Sequence, residues 1–180
     1  MDEATGEIGT GFSVDVCKQW EQTFFNSPTP QTRKVSLRSA MVFGLGEGGV
    51  FRAFENVVGL GLGGTLGTGD QMVSWVHFQD FTRSLQWILE HEELDGPINI
   101  ASPNPIPNRR FMQIFRKTLR KGIGLPAARW MLEVGAFFLQ TETELILKSR
   151  WVLPEKLHDS GFNFLYPEWD VALNAIVNGP

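Results

Sequence analysis

The sequence predicts an α/β fold in which helices pack on a parallel sheet, followed by a mostly helical tail. Three observations predict it. Over residues 13–102, segments of helical period alternate three times with short runs of β-forming residues, the order that βαβ connections impose on a parallel sheet. A glycine-rich turn follows the strand-like run 34–43 and a glycine-rich loop precedes the run ending at 77, and from residue 103 onward helical patterns dominate. The chain of 180 residues, 42% apolar, is long enough to bury a sizeable core.

The elements follow in order. Phe12, Val16, Trp20, Phe24 and Phe25 recur at helical spacing until Pro28 and Pro30 stop the pattern, which predicts an amphipathic helix over 13–26. The run 34–43, KVSLRSAMVF, reads as one strand entering a turn at GLGEGG, and 50–58 as a short helix. The stretch LGLGGTLGTGDQMVSWVH (60–77) reads as a glycine loop that ends in a strand, on which Trp75 and His77 point to the same side. Asp80 is read as the cap of a helix displaying Phe81, Leu85, Ile88 and Leu89, and 96–102 as a further strand. Asn108 is read as the cap of a helix displaying Phe111, Ile114, Phe115 and Leu119. Pro126 starts another helix, and TETE (141–144) makes a capping box before LILKSRW. Trp169, Leu173, Ile176 and Val177 predict a last helix from near Pro167.

Composition excludes several functions. Sixteen basic and twenty acidic residues give a net charge of −4 with no run that would track a phosphate backbone, so nucleic acid is not an expected partner. The longest apolar stretch, WMLEVGAFFL, is too short to span a bilayer and contains Glu133, and MDEATGEIG lacks the features of a signal peptide, so a cytoplasmic protein with no membrane partner is expected. The single cysteine, Cys17, leaves no internal disulfide and no cysteine-based zinc cluster, and it is read as a buried apolar thiol.

The catalytic motifs are weak. GxGxxG occurs at Gly44, Gly46 and Gly49 and again at Gly59, Gly61 and Gly64. The first follows a strand and precedes a helix, but the helix is short, and no acidic residue ends a second strand about twenty positions on. The second has no strand before it. HEELD (91–95) places Asp95 where a zincin helix needs its second histidine, and no GxSxG elbow occurs. The SWVH run reads either as a pocket wall carrying Ser74, Trp75 and His77 or as an ordinary half-buried strand.

Six segments, VCKQWE (16–21), VSLRSAMVFG (35–44), GLGLGGTLGTGDQMVSWVHFQD (59–80), INIASPNPIPNRRF (98–111), VLPEKL (152–157) and GFNFLYP (161–167), resemble in the same order an atypical branch of the extended short-chain dehydrogenase/reductases. That branch is labelled NAD(P)-dependent epimerase/dehydratase-like or cell-division-inhibitor-like. The resemblance implies the C-terminal part of an extended Rossmann-like fold, with the N-terminal dinucleotide-binding half absent. It also implies two regions: late strands, helices and a glycine-rich substrate loop over 1–102, and a helical C-terminal domain over 103–180. NADP or NAD is the cofactor of the intact family, and none is expected to bind this chain alone.

The family's Tyr-x-x-x-Lys pair is absent, since the one tyrosine is Tyr166 in the tail. Where nucleotide-sugar epimerases carry an Arg-Asp pair before the aromatic strand, this chain has Val73 and Ser74. The resemblance places Met41 and Val42 at the cofactor edge, and Gly61, Gly63, Gly64, Ser74, Trp75, His77 and Asn104 around a pocket for an unidentified small molecule. Arg38 is expected to be a structural ion-pair partner. Two functions follow: the substrate-side portion of an NAD(P)-dependent epimerase/dehydratase-like protein, not catalytic by itself, or a non-catalytic binding or regulatory protein that retains the fold. Apolar surface on helix 13–26 and an open strand edge predict a homo-oligomer.

Overall fold

A computed structural model describes residues 1–46, 49–125 and 149–179. The helices expected from Pro126 and from TETE fall outside the described residues. The chain runs α1 (Phe12–Asn26), β1 (Val35–Ser39), β2 (Met41–Phe43), α2 (Val50–Gly59), β3 (Met72–Val73), β4 (Trp75–His77), α3 (Phe78–Glu90), β5 (Gly96–Ile100), β6 (Ile106–Pro107), α4 (Asn108–Thr118), α5 (Glu155–Asp159) and α6 (Trp169–Asn178). The alternation expected over the first hundred residues is present, and its pairings are parallel. β1 lies beside β5 from Val35 opposite Gly96 to Ser39 opposite Ile100, and β2 beside β4 with Met41 opposite Trp75. β3 and β6 form a small antiparallel ribbon, Met72 opposite Pro107.

The single strand expected over 34–43 is two strands parted at Ala40. The Ala40 N–H still donates to Ile100 O (2.9 Å), after which Ser102 turns its own N–H to Trp75 O (2.6 Å) and β4 takes over as the neighbour. One continuous β-forming run thus serves two partners in succession. That hand-over brings the backbone just beyond β5 against β4.

Two apolar clusters hold the layers together. β2 and β4 meet α2, α4 and α6 through Phe43, Phe54, Trp75, Phe111, Phe115, Trp169 and Leu173. Phe111 stacks on Trp169 at 4.4 Å, and Phe43 meets the Trp169 ring edge-on at 4.8 Å. On the other side Val76, Ile88, Ile98, Ile100, Leu157 and Phe162 join α3 and α5 to β4 and β5. The strand period of two sends Trp75 into the first cluster and Val76 into the second. Helices α4 and α6, from beyond residue 103, therefore share a core with strands from before it.

Two adjacent cations close two helices. Arg33 Nη1 donates to the carbonyls of Ile88 (2.9 Å), His91 (2.9 Å) and Leu94 (2.7 Å), around the end of α3. Lys34 Nζ donates to Phe25 O (3.0 Å) and to Ser27 O at the end of α1. The last carbonyls of a helix have no partner within it, and here they face positive charge.

Three expectations are corrected. Asp80 does not cap α3: His77 does, its Nδ1 accepting the Gln79 N–H at 3.2 Å, because Asp80 is drawn to the tail. Asn108 does not cap α4: Pro107 holds the cap position, and Asn108 Oδ1 is spent on the Leu66 N–H at 2.9 Å. Cys17 is exposed, since α1 buries none of its residues and no described element covers the face that carries the thiol.

Candidate functional site

Four of the residues singled out by sequence, Ser74, Trp75, His77 and Asn104, gather on and around β4. Ser74, just before it, is buried; its hydroxyl donates to Arg150 O (2.6 Å) and accepts the Val152 N–H (2.9 Å). Beside it the Met72 N–H donates to Ser149 Oγ (3.0 Å), and the Arg150 N–H to Met72 O (2.9 Å). The segment 149–153 is thereby stitched to β3 and β4. Trp75 is fully buried, its Nε1–H donating to Asn104 O at 3.2 Å while its ring meets Trp169 at 5.0 Å.

The tail crosses this region as a strap, with a polar side chain at nearly every step. Asp80 is 1% exposed, and its carboxylate accepts the N–H groups of Leu165 (2.8 Å) and Tyr166 (2.9 Å). Arg83 Nη1 donates both to Asp80 Oδ1 (3.0 Å) and to Asn163 O (2.8 Å). Ser102 Oγ donates to Pro167 O (2.8 Å), and Asn104 Nδ2 donates to Pro167 O (3.3 Å) and Glu168 Oε1 (2.6 Å). The Tyr166 ring lies on the His77 imidazole, centroids 3.9 Å apart. The clamp formed by Asp80, Arg83 and Ser102 is absent from the sequence reading. The one local signal for it is the Asp three residues after His77 at a strand-to-helix junction.

His77 is the chemically adaptable group here. It is 2% exposed, and burial lowers its pKa below the ordinary value, opposed in part by the Asp80 charge. Because Nδ1 accepts from Gln79, the neutral ring carries its proton on Nε2.

The glycines belong elsewhere. Gly61 adopts φ +79°, its carbonyl accepts the Leu125 N–H (2.8 Å), and Gly64 N–H donates to Leu125 O (3.0 Å). A Cβ on Gly63 would stand 2.8 Å from Val58 Cγ2 and 2.9 Å from Arg116 Cγ, so its bareness admits the Arg116 side chain. None of these contacts involves Ser74, Trp75 or His77.

Met41 and Val42 are half-buried on β2, opposite Trp75 and Val76. Arg38 grips Glu21 through two bonds, Nε to Oε1 (2.8 Å) and Nη2 to Oε2 (2.6 Å), which holds the Glu21 carboxyl below its ordinary range. Arg38 is thus the ion-pair partner the sequence led us to expect. Neither glycine pattern makes a dinucleotide cradle among the described residues. The space over Gly44 is filled by Phe78, whose Cβ lies 2.9 Å from where a Gly44 Cβ would be, and the Gly49 carbonyl accepts the first bonds of α2, from Arg52 and Ala53. His91 stacks on Trp87 at 3.8 Å at the end of α3.

Known proteins resemble the chain over most of its length. Residues 127–176 match a family described as a domain of unknown function, DUF1731. An epimerase family protein of Mycobacterium leprae is 28% identical over 174 residues, 96% of this chain and 55% of that protein. The crystal structure of human epimerase family protein SDR39U1 with NADPH superposes with a TM-score of 0.86 at 28% identity, over 100% of this chain and 60% of that one. A nucleoside-diphosphate sugar epimerase from Corynebacterium glutamicum shares the fold, with a TM-score of 0.76 at 23% identity over 98% of this chain and 33% of its own. The chain spans about half the length of the curated relatives it matches.

Proposed function

We propose that this chain, which belongs to the atypical extended short-chain dehydrogenase/reductase, epimerase-like family and covers its C-terminal part, is the substrate-side portion of an NAD(P)-dependent epimerase- or dehydratase-like protein. The observation that carries this reading is the superposition of the whole chain on a relative solved with NADPH, of which it covers 60%. In this reading residues 1–102 bring Met41 and Val42 to the cofactor edge and Ser74, Trp75 and His77 to a pocket wall. Residues 103–180 close that pocket through Asn104 and the strap, in a cytoplasmic protein.

In this reading Met41 and Val42 supply the edge of a dinucleotide site, while the described glycines of the two GxGxxG patterns offer its pyrophosphate no cradle. Gly44 is filled by Phe78, and Gly61 and Gly64 are paired with Leu125. The chain alone accordingly binds no dinucleotide tightly and turns nothing over, and no chemical step is assigned to a nicotinamide here. What the residues do is structural. Ser74 and Asn104 fix the returning chain, and His77 offers a neutral Nε2–H donor at the carboxyl end of β4, the end at which α/β sheets receive ligands.

A second reading, a non-catalytic binding or regulatory protein, is favoured by one observation: the polar groups nearest β4 are already engaged in holding the tail. A hybrid in which this chain replaces the corresponding part of the human relative separates the two. NADPH-dependent turnover of a carbonyl or sugar substrate by the hybrid supports the first. NADPH binding without turnover on any of a broad panel supports the second, and turnover by the isolated chain overturns both.

A further inference from the structure

Arg116 sits in the last turn of α4, and its side chain passes between two glycines from different loops. A Cβ on Gly63 would stand 2.9 Å from Arg116 Cγ and 3.1 Å from Cδ, and a Cβ on Gly124 would stand 2.6 Å from Cζ and closer still to Nη1. Residues without a side chain let backbone approach this closely from both sides. Gly124 has no positive φ, so the arginine and not the turn requires its bareness. The two loops are tied together by the Leu125 N–H on Gly61 O (2.8 Å) and the Gly64 N–H on Leu125 O (3.0 Å).

Among the described residues nothing answers the charge of this guanidinium. Its Nε is shut off from solvent without an acceptor, and no described carboxylate pairs with it, whereas Arg38, Arg52, Arg83 and Arg109 each hold one. The Gly63 and Gly124 N–H groups are likewise without an acceptor among the described residues. Buried donors left unpaired are costly, so a group of them marks a place where an acceptor belongs. The sequence around it has one sign. Between Asp95 and Glu133 the chain carries seven cations and no acidic residue, although its net charge is −4, and Lys117, Arg120 and Lys121 are exposed just after Arg116.

We infer that Arg116, Gly63 and Gly124 form an anion site that takes the phosphate group of a small phosphate ester. The guanidinium fork matches two phosphate oxygens, bare glycine amides add donors, and the three cations that follow favour a dianion over a carboxylate. Leu60, Ile123 and Leu125 are exposed on the same two loops and offer contact to an apolar body on the ester. None of these contacts involves Ser74, Trp75 or His77, so the site is separate from the wall at β4 and does not depend on the proposed function.

Amide NMR shifts of the isotope-labelled chain, titrated with phenyl phosphate, inorganic phosphate and acetate at matched ionic strength, test the inference. Saturable shifts at the Gly63 and Gly124 amides are expected with both phosphates at about millimolar concentrations, and none with acetate. Phenyl phosphate should bind about threefold to tenfold more tightly than the free ion. Arg116→Gln should weaken both by about tenfold to a hundredfold, and Lys117→Gln by only about twofold. Gly124→Ala, which sets a methyl against Nη1, should weaken binding as Arg116→Gln does and carries the test if that variant fails to fold. Equal affinity for the two phosphates would overturn the ester. Saturation by neither, saturation by acetate as well, or binding that survives both Arg116→Gln and Gly124→Ala would overturn the site.

Discussion

Asp80→Ala should release the C-terminal strap while leaving the sheet intact. The carboxylate is 1% exposed and accepts two backbone N–H groups, from Leu165 (2.8 Å) and Tyr166 (2.9 Å), as well as Arg83 Nη1 (3.0 Å). Hydrogen bonds to a charged group contribute about 1.5–3 kcal/mol each, and a donor left unpaired costs about 1–3 kcal/mol. Water can reach part of the strap, as the 54% exposure of Leu165 shows, so the loss should fall below the sum of those bonds, at about 2–4 kcal/mol. Asp80→Asn keeps the shape and one acceptor oxygen but turns an amide donor toward an N–H; it should lose about half as much. Urea unfolding followed by tryptophan fluorescence measures the cost, and hydrogen exchange at the amides of Leu165 and Tyr166 locates it. A loss under about 1 kcal/mol with those amides still protected would refute the clamp.

Other consequences are equally direct. Because burial lowers the pKa of His77, the unfolded chain binds its proton first as pH falls. The stability His77 contributes is therefore full above its ordinary value of 6.5 and lost below it, at a slope of no more than about 1.4 kcal/mol per pH unit. His77→Gln should flatten that slope in denaturant titrations between neutral and mildly acidic pH, and an unchanged slope would assign it to other groups. The Glu21 carboxyl, held low by Arg38, stabilises the fold above its ordinary value of 4.5 and ceases to as pH falls. The pair is partly exposed, so Glu21→Gln should cost only about 0.5–1 kcal/mol by chemical denaturation, and a cost of several kcal/mol would contradict that. Gly44→Ala drives a methyl to 2.9 Å from Phe78 Cβ and should cost about 1–3 kcal/mol; a melting temperature equal to that of the parent would show that Phe78 can move aside.

Much of the fold was legible because local period decides it. Phe81, Leu85 and Ile88 announce α3, Phe111 and Phe115 announce α4, and the alternation of helix and strand implies the parallel pairings that β1–β5 and β2–β4 make. The break at Ala40 was not legible, because KVSLRSAMVF is uniformly β-forming and the change of partner lies in β5 and β4. Nor was the destination of Asp80, a residue of a capping type whose acceptors serve backbone groups 85 and 86 residues away. Ser74 and Asn104 are read as pocket residues because they are polar side chains close to strand ends. Their bonds to Arg150, Val152 and Glu168 depend on where the returning chain lies, which no local pattern states. Cys17 follows the same logic in reverse, since helical period marks an apolar face without saying what covers it.

Calorimetric titration of NADPH into the isolated chain is the sharpest test of the proposed function, in which this chain brings only the edge of a dinucleotide site and no pyrophosphate cradle. No binding in the micromolar range is expected. A saturable micromolar heat, abolished by a bulky substitution at Val42, would contradict it.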